Sequence, residues 1–258
     1  MKKTLTTTAI LGVVSMFAEA ATVSTYNSPL VINFDDTVIG SNNGQYTGAG
    51  FAPTPGSGQL NSNAWRITGF GTSVDFGGTG TSGDPARGTS DGGISSGGVY
   101  AFNTSLSDHA LGVQPGGSDF TPGTITLRVE NNTGATINTW SLGFDLFVLN
   151  NEDRSNSLNW DYSTDDTVYT TLSTYTSDQG ESTSPTWSNV QNVSSSNISA
   201  SVANGGFLFL RWSGDDVGGT GSRDEFAIDN ISVTAIPEPS SCVMLGLGAM
   251  AFLLYRRK

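Results

Sequence analysis

The stretch Gly123-Thr124-Ile125-Thr126-Leu127-Arg128-Val129-Glu130 decides how the chain is read. Ile125, Leu127 and Val129 fall on one side of an extended backbone, and Thr126, Arg128 and Glu130 fall on the other. That period-2 alternation is the mark of a half-buried strand. Asn131-Asn132-Thr133-Gly134 then supplies turn chemistry, and Trp140, Leu142, Phe144, Leu146 and Val148 alternate in a second strand. Leu158–Tyr162 and Val168–Leu172, joined by Ser163-Thr164-Asp165-Asp166, read as a hairpin. Phe207–Trp212 is apolar on both faces at its start, which suits a central strand. Towards the N-terminus, Leu30–Phe34, Trp65–Phe70 and Val99–Phe102 are further candidates, and Phe226–Val233 closes the series. Roughly nine or ten short strands separated by Gly- and Asp-rich loops predict an all-β fold of two packed sheets.

The closing strand breaks its own alternation. Phe226 and Ile228 share one parity, whereas Ile231 and Val233 share the other. A β-bulge at Asp229-Asn230 restores a single buried face and turns the Asp229 carboxylate towards a loop or a metal.

Both ends of the chain differ from the middle. Met1-Lys2-Lys3, an apolar stretch from Ala9 to Phe17 and then Ala18-Glu19-Ala20 give the three parts of a secretory signal peptide in order. Ala18 and Ala20 form the small-residue pair before cleavage, which assigns residues 1–20 to the signal. At the other end, Pro237-Glu238-Pro239 interrupts any strand or helix. An apolar run follows to Tyr255, about 21 Å long as a helix, and Arg256-Arg257-Lys258 ends the chain. Three terminal cations stay on the cytoplasmic side of a membrane, so residues 241–255 read as a short transmembrane helix with a basic stop. Residues 21–235 are left as the ectodomain.

The tail resembles the PEP-CTERM sorting signal, in which a Pro-Glu-Pro motif, a short Gly/Leu-rich span and a basic cluster occur together. The resemblance implies processing by an exosortase, a membrane peptidase acting at Pro237, Glu238 and Pro239. The protein would pass through the inner membrane and finish at the cell surface or in the extracellular polysaccharide matrix. The phrase Phe226-Ala227-Ile228-Asp229-Asn230-Ile231-Ser232-Val233 and the order of strands resemble the jelly rolls of extracellular carbohydrate-binding modules. That likeness implies a jelly-roll-like sandwich and a structural calcium ion, with Asp229 and either Asp35 or Asp36 as ligands.

Charge and composition exclude several functions. Between Ala21 and Ile236 there are six basic residues, all arginine, against 21 acidic ones, a net charge of 6 − 21 = −15. Such a surface repels phosphate backbones, so nucleic acid is not the partner. The one cysteine, Cys242, lies in the C-terminal apolar run and permits no internal disulfide or cysteine-based zinc site. The one histidine, His109, permits no histidine-pair metal site, and Asp108-His109 reads as a surface loop pair. Three classes remain open. The leading reading is a non-enzymatic protein that associates with polysaccharide, for which Trp65, Trp160 and Tyr162 are stacking candidates, followed by Trp187 and Trp212. The second is a secreted hydrolase using loop carboxylates such as Asp165 or Asp215. The third is an ice- or surface-binding adhesin, for which Thr124-Ile125-Thr126 is a fragment of a threonine row.

Overall fold

The computed structural model describes residues 20–105, 108–180, 182 and 185–238. The expected signal peptide up to Glu19, Pro239, the expected transmembrane helix and the basic tail lie outside the described residues. Within them the chain is all β, with no helix, and so with none long and apolar enough to cross a membrane. The strands are β1 (Ala21–Val23), β2 (Leu30–Ile32), β3 (Asn42–Asn43), β4 (Phe51–Ala52), β5 (Gln59–Asn61), β6 (Trp65–Thr68), β7 (Thr89–Ser90) and β8 (Gly98–Ser105). They continue with β9 (Asp108–Gln114), β10 (Gly123–Asn131), β11 (Ile137–Leu149), β12 (Ser155–Ser163), β13 (Thr170–Thr176), β14 (Ser188–Val202), β15 (Phe207–Gly218) and β16 (Glu225–Ile236).

Two large sheets face one another. The front sheet has the order β1-β10-β15-β12-β13, with β6 also paired to β10. The back sheet has the order β14-β11-β16-β9-β8-β7, with β2 also paired to β16. A small third sheet, β3-β5-β4, is built from the loop-rich segment before β6. In each large sheet one edge of a long strand is shared by two partners. Along β10 these are β6 at Thr124–Leu127 and β1 at Val129–Asn131; along β16 they are β9 at Phe226–Ile228 and β2 at Ile231–Val233.

The core is what the alternation predicts. Ile125, Leu127 and Val129 of β10 and Leu208, Leu210 and Trp212 of β15 point inwards, against Trp140, Leu142, Phe144, Leu146 and Val148 of β11. Phe144 reaches across from the back sheet and meets Trp160 and Trp212 of the front sheet edge-on, both at 5.4 Å between ring centroids. Edge-to-face contact aligns the ring quadrupoles and adds to the burial of large apolar area. The bulge expected in the last strand is present. Gly143 pairs with Ser232 and Asp145 with Asp229, so β16 carries one extra residue there, and Asn230 has φ 51°. Phe226, Ile228, Ile231 and Val233 are all buried as a result.

Three expectations are corrected in detail. The second arm of the hairpin begins at Thr170 rather than Val168, because Asp165 caps the turn by accepting from the Thr167 and Val168 N–H groups, which leaves Val168 exposed. Asp108-His109 opens β9 instead of lying in a surface loop. The strands also outnumber the expected nine or ten, because β3, β4, β5 and β7 are too short to show a period.

Candidate functional site

An open groove of about 440 Å³ lies at one end of the back sheet, lined by Asp91, Gly92, Gly93, Leu149, Asn151 and Trp187, among others. Alternation along β11 puts Asp145, Phe147 and Leu149 on its outward face. Phe147 and Trp187 belong there to a small apolar cluster with Tyr100, Phe102, Ala110 and Ala227, separate from the main core. Trp187, just before β14, packs on Phe102 at 4.8 Å, and Phe102 stacks on Tyr100 at 5.3 Å. The Trp187 Nε1–H donates to the Asp91 carbonyl, 2.9 Å, so the indole is held in one orientation.

The opposite wall is the loop between β7 and β8. Gly92 has φ 94°, and a Cβ on it would stand 2.4 Å from Leu149 Cδ2 and 3.3 Å from the Trp187 ring. Only glycine brings the backbone this close. Below the loop, Glu225 Oε1 accepts from the Gly93 and Ile94 N–H groups at 2.7 and 3.0 Å. Glu225 is fully buried, and among the described residues its Oε2 has no partner. Burial pushes its pKa up to about 7, against the pull of those N–H groups. Next to it, Asp224 accepts from the Asn151 and Glu152 N–H groups at 3.2 Å, and burial raises it to about 6. Two buried carboxylates therefore clamp the two loops that frame the groove.

Further along the same face, Asp145 is surrounded by amides. Its Oδ1 accepts from Asn189 and Asn192 at 3.0 and 2.6 Å, and its Oδ2 accepts from Asn230 at 2.9 Å. A smaller recess of about 180 Å³ opens beside them, lined also by Ser194 and Ser232. Carboxylate, amide and hydroxyl groups beside aromatic faces are the chemistry that recognises a polyhydroxylated ligand.

The third feature is the point where the partner of β16 changes from β9 to β2. Asp229 sits there, fully buried, beside the Asn230 N–H and the Asp108 carboxyl group, and among the described residues neither of its oxygens is squarely hydrogen-bonded. Burial pushes it up to about 8, helped by the negative charges of Asp108 and Asp35. Asp35 Oδ1 accepts from the His109 N–H at 3.1 Å and lies 3.6 Å from its Nδ1. Asp36 contributes elsewhere: its carbonyl accepts from Asn42. Of the expected metal residues, Asp229 and Asp35 thus come together and Asp36 does not join them, while Asp108 enters from β9. A buried carboxyl group beside two more acids offers the oxygen donors that a hard divalent cation takes. Among the described residues, however, no three acidic, histidine or cysteine side chains close tightly enough to enclose one.

The other expected residues fall as follows. Trp65 and Trp160 are core residues, 0% and 4% exposed, and offer no face to a sugar. Trp212 is likewise buried, and half-buried Tyr162 packs against the core with its hydroxyl on the Ser199 carbonyl. The groove aromatic is Trp187. Asp215 pairs across from Ser157, and Asp165 lies beyond Ser163 on the same strand, which separates the two acids by about 20 Å at the rise of a β-strand. Paired carboxylates of glycoside hydrolysis stand about 5–10 Å apart. Thr126 is buried, so Thr124-Ile125-Thr126 presents no threonine row to solvent. At the termini, β1 starts at Ala21, immediately after the expected cleavage at Ala20, and Ala18 lies outside the described residues. β16 ends at Ile236, directly before Pro237, and Asn138 Nδ2 donates to the Glu238 carboxylate.

Fold and groove together define a two-sheet β-sandwich with an aromatic-lined recess on its back sheet. The tail is specific: residues 235–258 match the PEP-CTERM protein-sorting motif, the mark of an exported protein processed by an exosortase. No curated protein matches the chain. Solved structures similar to it include several carbohydrate-binding modules and an exo-β-agarase. One is TmCBM61 in complex with β-1,4-galactotriose, with 12% identity over 66% of this chain and 88% of that one and a TM-score of 0.31. Another is the CBM22-1–GH10 portion of Clostridium thermocellum endo-1,4-β-D-xylanase 10B complexed with xylohexaose, with 11% identity over 68% of this chain, 27% of that one and a TM-score of 0.32. A third is CBM28, specific for non-crystalline cellulose, with 10% identity over 74% and 95% of the chains and a TM-score of 0.33. These likenesses are slight, and the architecture rests on the strand pairing itself.

Proposed function

We propose that this is a non-enzymatic surface or matrix protein whose sandwich holds an extracellular polysaccharide in the Trp187 groove. The observation that carries the reading is the groove: an indole fixed by Asp91, backed by Phe102 and Tyr100, faces a glycine loop and is flanked by Asp91, Asn151 and Thr104. An aromatic ring offers its face to the C–H side of a sugar, and the polar groups at the rim take its hydroxyls. The sorting motif supports a location where such polymers occur. In this reading residues 241–255 hold the chain in the inner membrane until an exosortase acts at Pro237–Pro239.

A calcium ion at Asp229 would need Asp35 and Asp108 to draw closer than they stand, since the three do not enclose an ion as placed. The ion would supply the positive charge that the buried Asp229 carboxylate lacks and would tie β2 and β9 to β16.

A glycan array probed with the full chain and with Trp187→Ala tests the reading. The expected result is retention of a defined set of polysaccharides, with affinity reduced about 10-fold or more in the variant, as for loss of a central aromatic contact. Turnover of any retained polymer, abolished by Asp215→Asn or Asp165→Asn, would instead establish a hydrolase.

A further inference from the structure

The outer face of the front sheet gathers arginines, together with acids, on a strongly acidic molecule. Three of the six arginines between Ala21 and Ile236 stand there: Arg66 on β6, Arg128 on β10 and Arg211 on β15. Two of them are neutralised within the fold. Arg66 makes a bidentate pair with Asp166 at 2.5 and 2.6 Å. Arg211 donates to Asp161 at 3.1 and 3.0 Å and lies 3.6 Å from the centre of the Tyr169 ring.

Arg128 is different. Its guanidinium is wedged between two rings, 4.4 Å from Phe76 and 4.8 Å from Phe207, and Arg66 lies on Phe76 as well, at 4.8 Å. Its Nε–H donates to the Asn63 carbonyl. Among the described residues no carboxylate reaches ion-pair distance of it, and its terminal amino groups make no hydrogen bond. Burial acts against its charge, and Asp166 and Glu130 offset this only through space. A planar fork held rigid by two rings, with both terminal donors free, has already lost the rotamer freedom that binding would otherwise remove. Beneath it, Thr126 Oγ1 is buried between the registers of Arg66 and Arg211 and has no partner either.

We propose that this face is a second binding site, for the carboxylate groups of an acidic (uronate-bearing) polysaccharide. Arg128 takes the carboxylate through two parallel N–H···O bonds, and the edges of Phe76 and Phe207 that the arginines leave uncovered meet the sugar rings. Asp166 and Glu130 stand near enough to act on Arg128, so the site must outweigh their repulsion of a carboxylate, while exposed charges beyond about 8 Å are screened at physiological ionic strength. The inference rests on the reading that the partner is a glycan, and adds a site and a charge class to it.

The test compares polygalacturonate with the same polymer after its carboxylates have been reduced to hydroxymethyl groups. Binding of the full chain is measured by affinity electrophoresis. Wild type is expected to prefer polygalacturonate, and Arg128→Gln to lose that preference, with affinity for the acidic polymer falling about 10-fold or more, as for a charge-assisted bidentate contact. Arg128→Lys, which keeps the charge but not the fork, should recover part of it and serves in place of the glutamine variant if that one melts early. Trp187→Ala should leave the preference for the acidic polymer intact. Equal binding of the two polymers by wild type, or an unchanged preference in Arg128→Gln, overturns the inference. Loss of neutral-glycan binding in Trp187→Ala bears on the groove alone and distinguishes the two sites.

Discussion

Replacing Glu225 by Gln should remove a large part of the protein's pH dependence. Glu225 lies fully buried on β16, below the groove loop, with no cation beside it. Its folded pKa is raised from 4.5 to about 7, chiefly by burial. The sign follows from proton binding. Between pH 4.5 and about 7 the folded protein holds a proton that the unfolded chain has released. Stability is therefore greatest below the unfolded value, falls as pH rises through this window, and levels off above the folded pKa. The size of the loss is about 3 kcal/mol across the window, at 1.36 kcal/mol per unit. Glutamine keeps an oxygen for the Gly93 and Ile94 N–H groups and cannot ionise. Asp224 contributes a change of the same sign in both proteins, which cancels in the comparison. Thermal melts from pH 4.5 to 8 are the assay. Relative to the variant, wild type should lose roughly 6–12 °C over this range, given the 2–4 °C per kcal/mol typical of a domain of this size. A variant whose melting temperature tracks that of wild type at every pH would refute the assignment of an uncompensated carboxylate to this position.

Three further outcomes follow from the same structure. Phe144→Ala removes the ring that joins Trp160 and Trp212 across the sheets, and chemical denaturation should register a loss of about 3–5 kcal/mol. A chelator should lower the melting temperature of wild type and leave Asp229→Ala unaffected; identical curves with and without chelator would remove the calcium ion from the account. Gly92→Ala places a Cβ 2.4 Å from Leu149 Cδ2 at a positive φ, so calorimetric titration should show weaker glycan binding, with wild-type affinity counting against the groove.

The long strands of the core were legible because their inward positions are apolar at every second residue, as in β10 and β11, and the parity switch at Asp229-Asn230 located a bulge that the register of β16 displays. β9 was hidden for the opposite reason. Ala110, Leu111, Gly112 and Val113 are buried in succession, because the small cluster around Phe102 covers its outer face, and a strand covered on both faces has no period. β14 was hidden by polarity, since it lies at a sheet edge, with Ile198, Ala200 and Val202 of its far end buried in the core and Val190 and Val193 packed against it only in part. The short strands β3 to β5 are held by backbone hydrogen bonds in a glycine-rich segment, which no side-chain pattern records.

The sites were less legible than the fold. Aromatic content marks stacking candidates but not which rings stay accessible, and Trp65 and Trp160 went to the core while Trp187 stayed at the rim. Asp35 and Asp229 were singled out and do come together, yet Asp108 was missed because its strand was missed. Glu225 and Asp145 gave one signal that went unread: each is an acid on the outward parity of a strand whose inward parity is apolar.

The most direct test of the account is the intact mass of the chain recovered from the extracellular polysaccharide of its native host. The account predicts a species that begins after Ala20, ends at or near Pro237–Pro239 and is enriched in the polysaccharide fraction. A chain that keeps Arg256, Arg257 and Lys258 and is found only in the membrane fraction would contradict it.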